Sequence, residues 1–375
     1  MMTESQFNRF LIQVRSGGDR RLRRPLPAGH RFVIVLALLL AGIIAPLSSG
    51  AGSAAVVPEG VWAGALLYAP FEYRNGWDNQ RRDRPIGSDL VDQFNAALGG
   101  ELVAGRYEAD YEYVVFDLYA GLTARTTFHL QIPRFSSEVR QRVDIAAPPP
   151  LDQAILAQLE AMGFRNETLK GDGWGDAHLW LYHQYHEMPR LKLAAGAGWR
   201  TQELSTDFSH NTEKLNVGTR ESEAALFNHV VDFALLPNAN LNYRFELQYP
   251  LEGSRDVFRP GEGVVNVHHT PGRYMTHELE LVTHWLARRV TATVGAWYRE
   301  ESASRIDGAR DATGKDYLWG KAALGYDGMT DYEKGVMPIP LFAEVRYWHL
   351  ERARNSPAYS DSYWEVWFAF PLWRR

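Results

Sequence analysis

The sequence predicts an all-β fold, a transmembrane antiparallel up-and-down β-barrel of about 12 strands with short helices in external loops. Three observations carry this expectation. Apolar residues recur at every second position along most of the chain. The alternating runs are about ten residues long, which suits a tilted transmembrane strand better than a soluble one. The links between runs are alternately short and long, as periplasmic turns and external loops are.

Before the first run lies a different kind of segment. Arg20, Arg21, Arg23, Arg24 and Arg31 precede FVIVLALLLAGIIAPL (Phe32 to Leu47), and SSGAGSAA (Ser48 to Ala55) follows. A basic stretch, an apolar core and small residues describe an export signal. Residues 1–55 are therefore expected to be a cleaved signal with a long basic start, and 56–375 the barrel. The alternative is an uncleaved anchor, but the apolar run is about 16 residues, short of the roughly 20 a spanning helix needs.

Strand runs fall at 61–74, 107–120, 126–135, 175–186, 190–202, 228–236, 240–250, 273–285, 289–301, 315–327, 339–352 and 362–373. The clearest has Leu241, Tyr243, Phe245, Leu247 and Tyr249 alternating with Asn240, Asn242, Arg244, Glu246 and Gln248. GLTAR (Gly121 to Arg125), EMPR (Glu187 to Arg190), PNAN (Pro237 to Asn240) and LARR (Leu286 to Arg289) read as hairpin turns. The links 75–106, 136–172, 203–228, 252–272 and 302–314 are long and polar. SDLVDQFNAALGG (Ser88 to Gly100) and PLDQAILAQLEAMGF (Pro150 to Phe164) carry helix start and stop signals. An even strand number puts both chain ends in the periplasm. The last run, Trp364, Val366, Phe368, Phe370 and Leu372, resembles the C-terminal insertion signal of bacterial outer-membrane barrels, although Trp373, Arg374 and Arg375 follow it.

Bulk properties fit this architecture. A net charge of −5 gives no basic footprint for nucleic acid. Zero Cys excludes disulfides, thiolate metal sites and a Cys nucleophile. A mean hydropathy of −0.32 excludes a bundle of membrane helices but suits a barrel, whose lumen rows are wet.

YVVFDLYAGLTARTTFHLQIPRF (Tyr113 to Phe135) resembles the strand–GLTdR–strand hairpin of the outer-membrane transporters grouped with the meta-pathway of phenol degradation. GWGDAHLWLYHQY (Gly173 to Tyr185) is similar to the same family's G-x-GD start of its next strand. Ala124 stands where that family has Asp, and WRTQ (Trp199 to Gln202) where it has Pro-Thr-Gly. The resemblance implies a barrel that passes hydrophobic or aromatic compounds.

The residues themselves offer little chemistry. GDGWGD (Gly171 to Asp176) lacks the Lys-Ser/Thr pair of a phosphate loop. His178, His183 and His186 are dense, but on a strand His178 and His186 share one face and His183 the other, so no shared metal is expected. His268 and His269 have no further ligands in view. Ser209 and His210 are the Ser–His neighbours a lipid hydrolase could use, but they lie in a loop-like stretch, and adjacent residues on a strand point to opposite faces. No catalytic, cofactor or metal residue is assigned.

The expected lumen rows hold His178, Trp180, Tyr182, Arg190, Lys192, Arg200, Arg244, Glu246, Glu278, Glu280, Arg299, Glu301, Glu344 and Arg346. They read either as a selectivity lining or as a salt-bridged lattice filling a narrow barrel. Trp285, Tyr298, Trp319, Tyr347 and Trp348 read as aromatic girdle residues near strand ends. The expectation is passive passage of small hydrophobic or aromatic solutes across the outer membrane, with no cofactor. Outer-membrane lipid, lipopolysaccharide, the barrel-insertion machinery and a small hydrophobic solute are the expected partners. A lipid-modifying outer-membrane enzyme and a closed structural barrel are the alternatives.

Overall fold

Alternation alone does not decide whether a sheet closes; hydrogen bonding at its two edges does. In the computed structural model, residues 54–374 are described except 55, 79, 87, 89–90, 93–94, 97–98, 162–165, 202–222, 260–262, 311–313 and 356–360. Twelve long strands pair in chain order: β1 (Val61–Tyr73), β2 (Val103–Thr123), β3 (Thr126–Ile145), β4 (His178–Met188), β5 (Leu191–Arg200) and β6 (Ala224–Leu236). They continue as β7 (Ala239–Pro250), β8 (Tyr274–Trp285), β9 (Val290–Glu301), β10 (Lys315–Asp327), β11 (Phe342–Arg354) and β12 (Ser362–Arg374).

β1 pairs antiparallel with both β2 and β12, so the twelve-strand barrel closes. Around the barrel wall closure pairs backbone groups between neighbouring strands, which is what hydrocarbon requires. The outward row carries exposed Leu181, Phe227, Leu279, Leu324, Val345 and Trp364, large apolar side chains that lipid solvates. The expected fold class stands: a transmembrane antiparallel up-and-down barrel with few helices.

The expected strands are all present, with two revisions and one agreement. First, β2 and β3 are far longer than the alternating runs at 107–120 and 126–135. They pair from Val103↔Ile145 down to Thr123↔Thr126, so about ten residues of each rise beyond a membrane crossing. The ribbon Glu167–Trp174 joins this crest, from Gln141↔Glu167 to Arg134↔Trp174. Helix α1 (Leu151–Ala161) seats Ile155 and Leu159 on Val103 and Val143, giving the crest its own apolar core. Gly171 and Gly173 therefore lie in a strand, not a free loop.

Second, the link between β10 and β11 is a long periplasmic one with a short helix, α2 (Met329–Glu333), and the link 355–361 opposite it is short. Strict short–long alternation ends there. Third, α1 matches one expected helix, and the described positions of 88–96 are helical, matching the other.

Candidate functional site

Closure brings the inward rows of all twelve strands around one lumen. Its two halves differ in chemistry. On β4, Trp180 and Tyr182 face inward beside Gly198 and Gly196 of β5. A Cβ at Gly196 would stand 2.7 Å from the Tyr182 ring, and one at Gly198 would stand 2.8 Å from Trp180. Glycine at both positions lets the two rings lie flat on the wall. The stack continues around the barrel: Trp180–Tyr182 centroids are 5.5 Å apart, His129–Tyr182 6.2 Å and Tyr119–His129 4.3 Å, with interplanar angles of 21°, 27° and 12°. Asp117 orients the stack; its Oδ1 lies 2.7 Å from His129 Nε2 and accepts from Gln131 Nε2 at 3.2 Å.

Strands β7 to β12 build the other half from charges. Arg244 and Glu278 are direct cross-strand partners, with Nη1 to Oε2 at 3.7 Å. Lys321 Nζ donates to Glu278 Oε1 at 3.3 Å and to Glu280. Arg346 bridges Glu344 and Glu365, the latter at 3.5 Å. Glu246 Oε1 accepts from Gln248 Nε2 at 2.7 Å. Lys321 is nearly enclosed, at 8% side-chain exposure, whereas Arg244 is 46% exposed. The Arg244 guanidinium therefore opens onto lumen water, close enough to interact electrostatically with Tyr119 and Tyr182 of the ring wall.

Both mouths are narrowed by the chain. At the external end Tyr317, Trp319, Trp348 and Leu350 pack together, joined by Trp297, Tyr363 and, from the first external loop, Trp77. Arg81 of that loop reaches Asp316 at 3.2 Å, which Arg354 also bridges at 2.8 Å. The loop's own turn is held by Asp78. Burial alone would raise its carboxyl, but hydrogen bonds from the amide and guanidinium of Arg82 and the amide of Gln80 outweigh it and hold it below the usual carboxylate value.

At the periplasmic end the segment leading into β1 crosses the mouth. Gly60 N donates to Gly121 O at 2.9 Å, and Val57 N to Thr127 Oγ1 at 2.8 Å. A Cβ on Gly121 would stand 2.0 Å from Pro58 O, so only glycine admits the strap there. In the full chain Ala54, which lies within the expected signal segment, lands on the far wall among Ala194 and Val230, a contact that cleavage after Ala55 removes. The Ala54 N–H donates to Asp232, and its C=O accepts from Gln184 Nε2 at 3.2 Å.

No protein-family model matches the chain, and no curated protein matches it. The crystal structure of the COG4313 outer membrane channel from Pseudomonas putida F1 matches with a TM-score of 0.58, over 87% of this chain and 100% of that one, at 11% identity. The fold is that of an outer-membrane barrel. The TodX deltaS2S3 mutant monoaromatic hydrocarbon channel (TM-score 0.38, 10% identity, 84% and 91% covered) is too distant to carry an argument. The same holds for a Pseudomonas aeruginosa FadL homologue (TM-score 0.35, 9% identity, 83% and 89% covered).

The residues singled out in the sequence distribute as follows. Arg244, Glu246, Glu278, Glu280, Glu344 and Arg346 meet on the charged wall, and His178, Trp180 and Tyr182 lie on the inward row of β4. Arg200 is at the external end, with Nη1 donating to Gln248 Oε1 at 3.0 Å and Nε 3.7 Å from Asp176. Arg299 lies 4.2 Å over the Tyr274 ring, and Glu301 is 3.5 Å from Lys315. Lys192 sits at the periplasmic rim against Glu187 at 2.8 Å. Arg190 does not face the lumen: it is an exposed residue of the turn before β5.

Two further placements differ from strand parity. A bulge between Gln184 and His186 pairs His186 with Leu193, on the outward row, so His186 does not share the face of His178. Trp319 and Trp348 are not girdle residues; both are buried in the inward aromatic cluster. Ser209 and His210 lie outside the described residues. Among the described residues no group of three His, Cys, Asp or Glu side chains is placed to hold a metal. Sequence reasoning missed Lys321, Glu365, Asp117 and His129. Period two marks their faces, but only the cross-strand register brings them to these partners.

Proposed function

We propose that this chain is exported, that its barrel sits in the outer membrane, and that it passes small hydrophobic or aromatic solutes passively. The observation that carries this reading is the ring wall. Trp180 and Tyr182 lie over Gly198 and Gly196 on one side of a closed lumen, the stack runs on from Tyr182 through His129 to Tyr119, and the half-exposed guanidinium of Arg244 stands opposite. The partly exposed Tyr119 and Tyr182, backed by the buried Trp180 and His129, offer a planar apolar solute aromatic contacts of similar strength, each worth about 0.5–1.5 kcal/mol. Weak, multiple sites suit conduction, because a solute must be able to leave as well as bind.

The fold likeness to an outer membrane channel supports the same reading. So does the resemblance of 113–135 to the transporters grouped with phenol degradation. Residues 1–55 act as the export signal in this scheme, lipopolysaccharide surrounds the external crest, and the barrel-insertion machinery places the chain.

The test uses 1-N-phenylnaphthylamine, an apolar probe that an intact outer leaflet excludes. Cells expressing the protein, with its heat-modifiable form verified in the outer-membrane fraction, are expected to take up the probe faster than cells with an empty vector. Equal rates with folded protein in place would overturn passage and leave the closed structural barrel.

A further inference from the structure

The charges lining the lumen do not balance. On the charged wall Glu246, Glu278, Glu280, Glu344 and Glu365 face three cations, Arg244, Lys321 and Arg346. The ring wall opposite adds Asp117 and no arginine or lysine across its middle. The other inward cations are engaged: Arg299 shares the register of Glu246 two strands away, and Lys315 at the external end is paired with Glu301 at 3.5 Å. Arg200 at the external end is engaged by Asp176 and Gln248, Arg299 by the face of Tyr274, and Lys192 at the periplasmic rim by Glu187. The middle of the path is thus acid-rich, and apolar walls around it focus the field.

From this asymmetry we infer that the lumen selects cations over anions, and that among aromatic solutes it favours rings bearing a quaternary or protonated amine over rings bearing a carboxylate or sulfonate. The inference rests on the passage reading above. The ring wall would hold the planar body by stacking and the cation by its π-faces. The carboxylate excess would stabilise the charge as it passes the middle. An anionic ring gains the stacking but meets the acids, and in the middle of the path Arg244, at 46% exposure, is the most exposed of the three charged-wall cations.

The experiment is a reversal-potential measurement on the purified full-length protein in planar bilayers under a KCl gradient. It is paired with proteoliposome swelling in benzyltrimethylammonium chloride and in sodium benzenesulfonate. A lumen potential near −kT per unit charge predicts a potassium-to-chloride permeability ratio of roughly sevenfold. The aromatic cation should enter faster than the aromatic anion by a similar ratio.

The double variant Glu246→Gln with Asp117→Asn removes two of the excess charges, and the ratio should fall to roughly twofold. Arg244→Gln should move it the opposite way. A native ratio at or below one, or a ratio that neither variant moves, overturns the inference and leaves passage intact. No conductance for any ion and no swelling in either salt overturns both readings. Folding of each variant is checked by its mobility shift on an unheated gel, and the native ratio decides by itself if a variant does not fold.

Discussion

Lys321 holds the charged wall together. It is the shared partner of Glu278 and Glu280, which lie two residues apart on one face of β8. Replacing one member of such an enclosed set is costlier than replacing all of it, because the charges left behind lose their partner. Lys321→Met is expected to destabilise the barrel by about 3–5 kcal/mol, read as a lowered urea midpoint of the heat-modifiable form in vesicles. Adding Glu278→Gln and Glu280→Gln to Lys321→Met should recover most of that loss. If the triple variant is no better than the single, the lattice is not what Lys321 stabilises. Glu278 and Glu280 were legible in the sequence as lumen residues, since period two marks their face. Their partner was not, because Lys321 lies two strands away in the barrel. His186 shows the opposite failure: parity counted past a bulge reverses the face.

The crest formed by β2, β3, the ribbon Glu167–Trp174 and α1 folds on different terms from the barrel. Its strands stand above the membrane, and its ribbon is fastened by exposed charges. Lys170 reaches Glu138 at 2.8 Å, and Arg140 reaches the same carboxylate at 2.9 Å. Hydrogen bonds from Lys170, then Arg140, hold the Glu138 carboxyl below its ordinary value. A carboxyl lowered in the folded state adds stability above its unfolded value of about 4.3, and that contribution is lost as pH falls through the folded value. Hydrogen exchange of 167–174, corrected for intrinsic rates, should show protection at pH 6 that is reduced at pH 3, while barrel strands stay protected. Glu138→Gln should remove the difference; an unchanged pH dependence in that variant would assign it elsewhere. The crest was hard to read in advance because SSEVRQRV (Ser136 to Val143) is polar enough to pass for a loop. Its strand character depends on pairing with Glu167 to Asp172, well beyond any local window.

The molecule as a whole is organised inside out, with apolar side chains on the surface and charges within. An arginine in the middle of the outward row therefore belongs in hydrocarbon. Leu279→Arg should cost about 2–4 kcal/mol and lower the folded fraction recovered from vesicles, with the loss shrinking for outward positions nearer the membrane surface. A neutral Leu279→Arg would mean that this face is covered by protein or water instead of lipid.

Strand number, strand direction and the facing of most residues could be read from the chain because alternation and turn chemistry are local properties, visible in any ten residues. The turns at Gly121 to Arg125 and Leu286 to Arg289 needed nothing beyond their own residues to be placed. Which wall faces which is a property of closure. Tyr119 stacks on His129, His129 on Tyr182, and Arg244 looks across at them only because β1 pairs with β12 and bends twelve local rows into one ring. Pairing energies between strands distant in sequence set that register, and no local pattern encodes them.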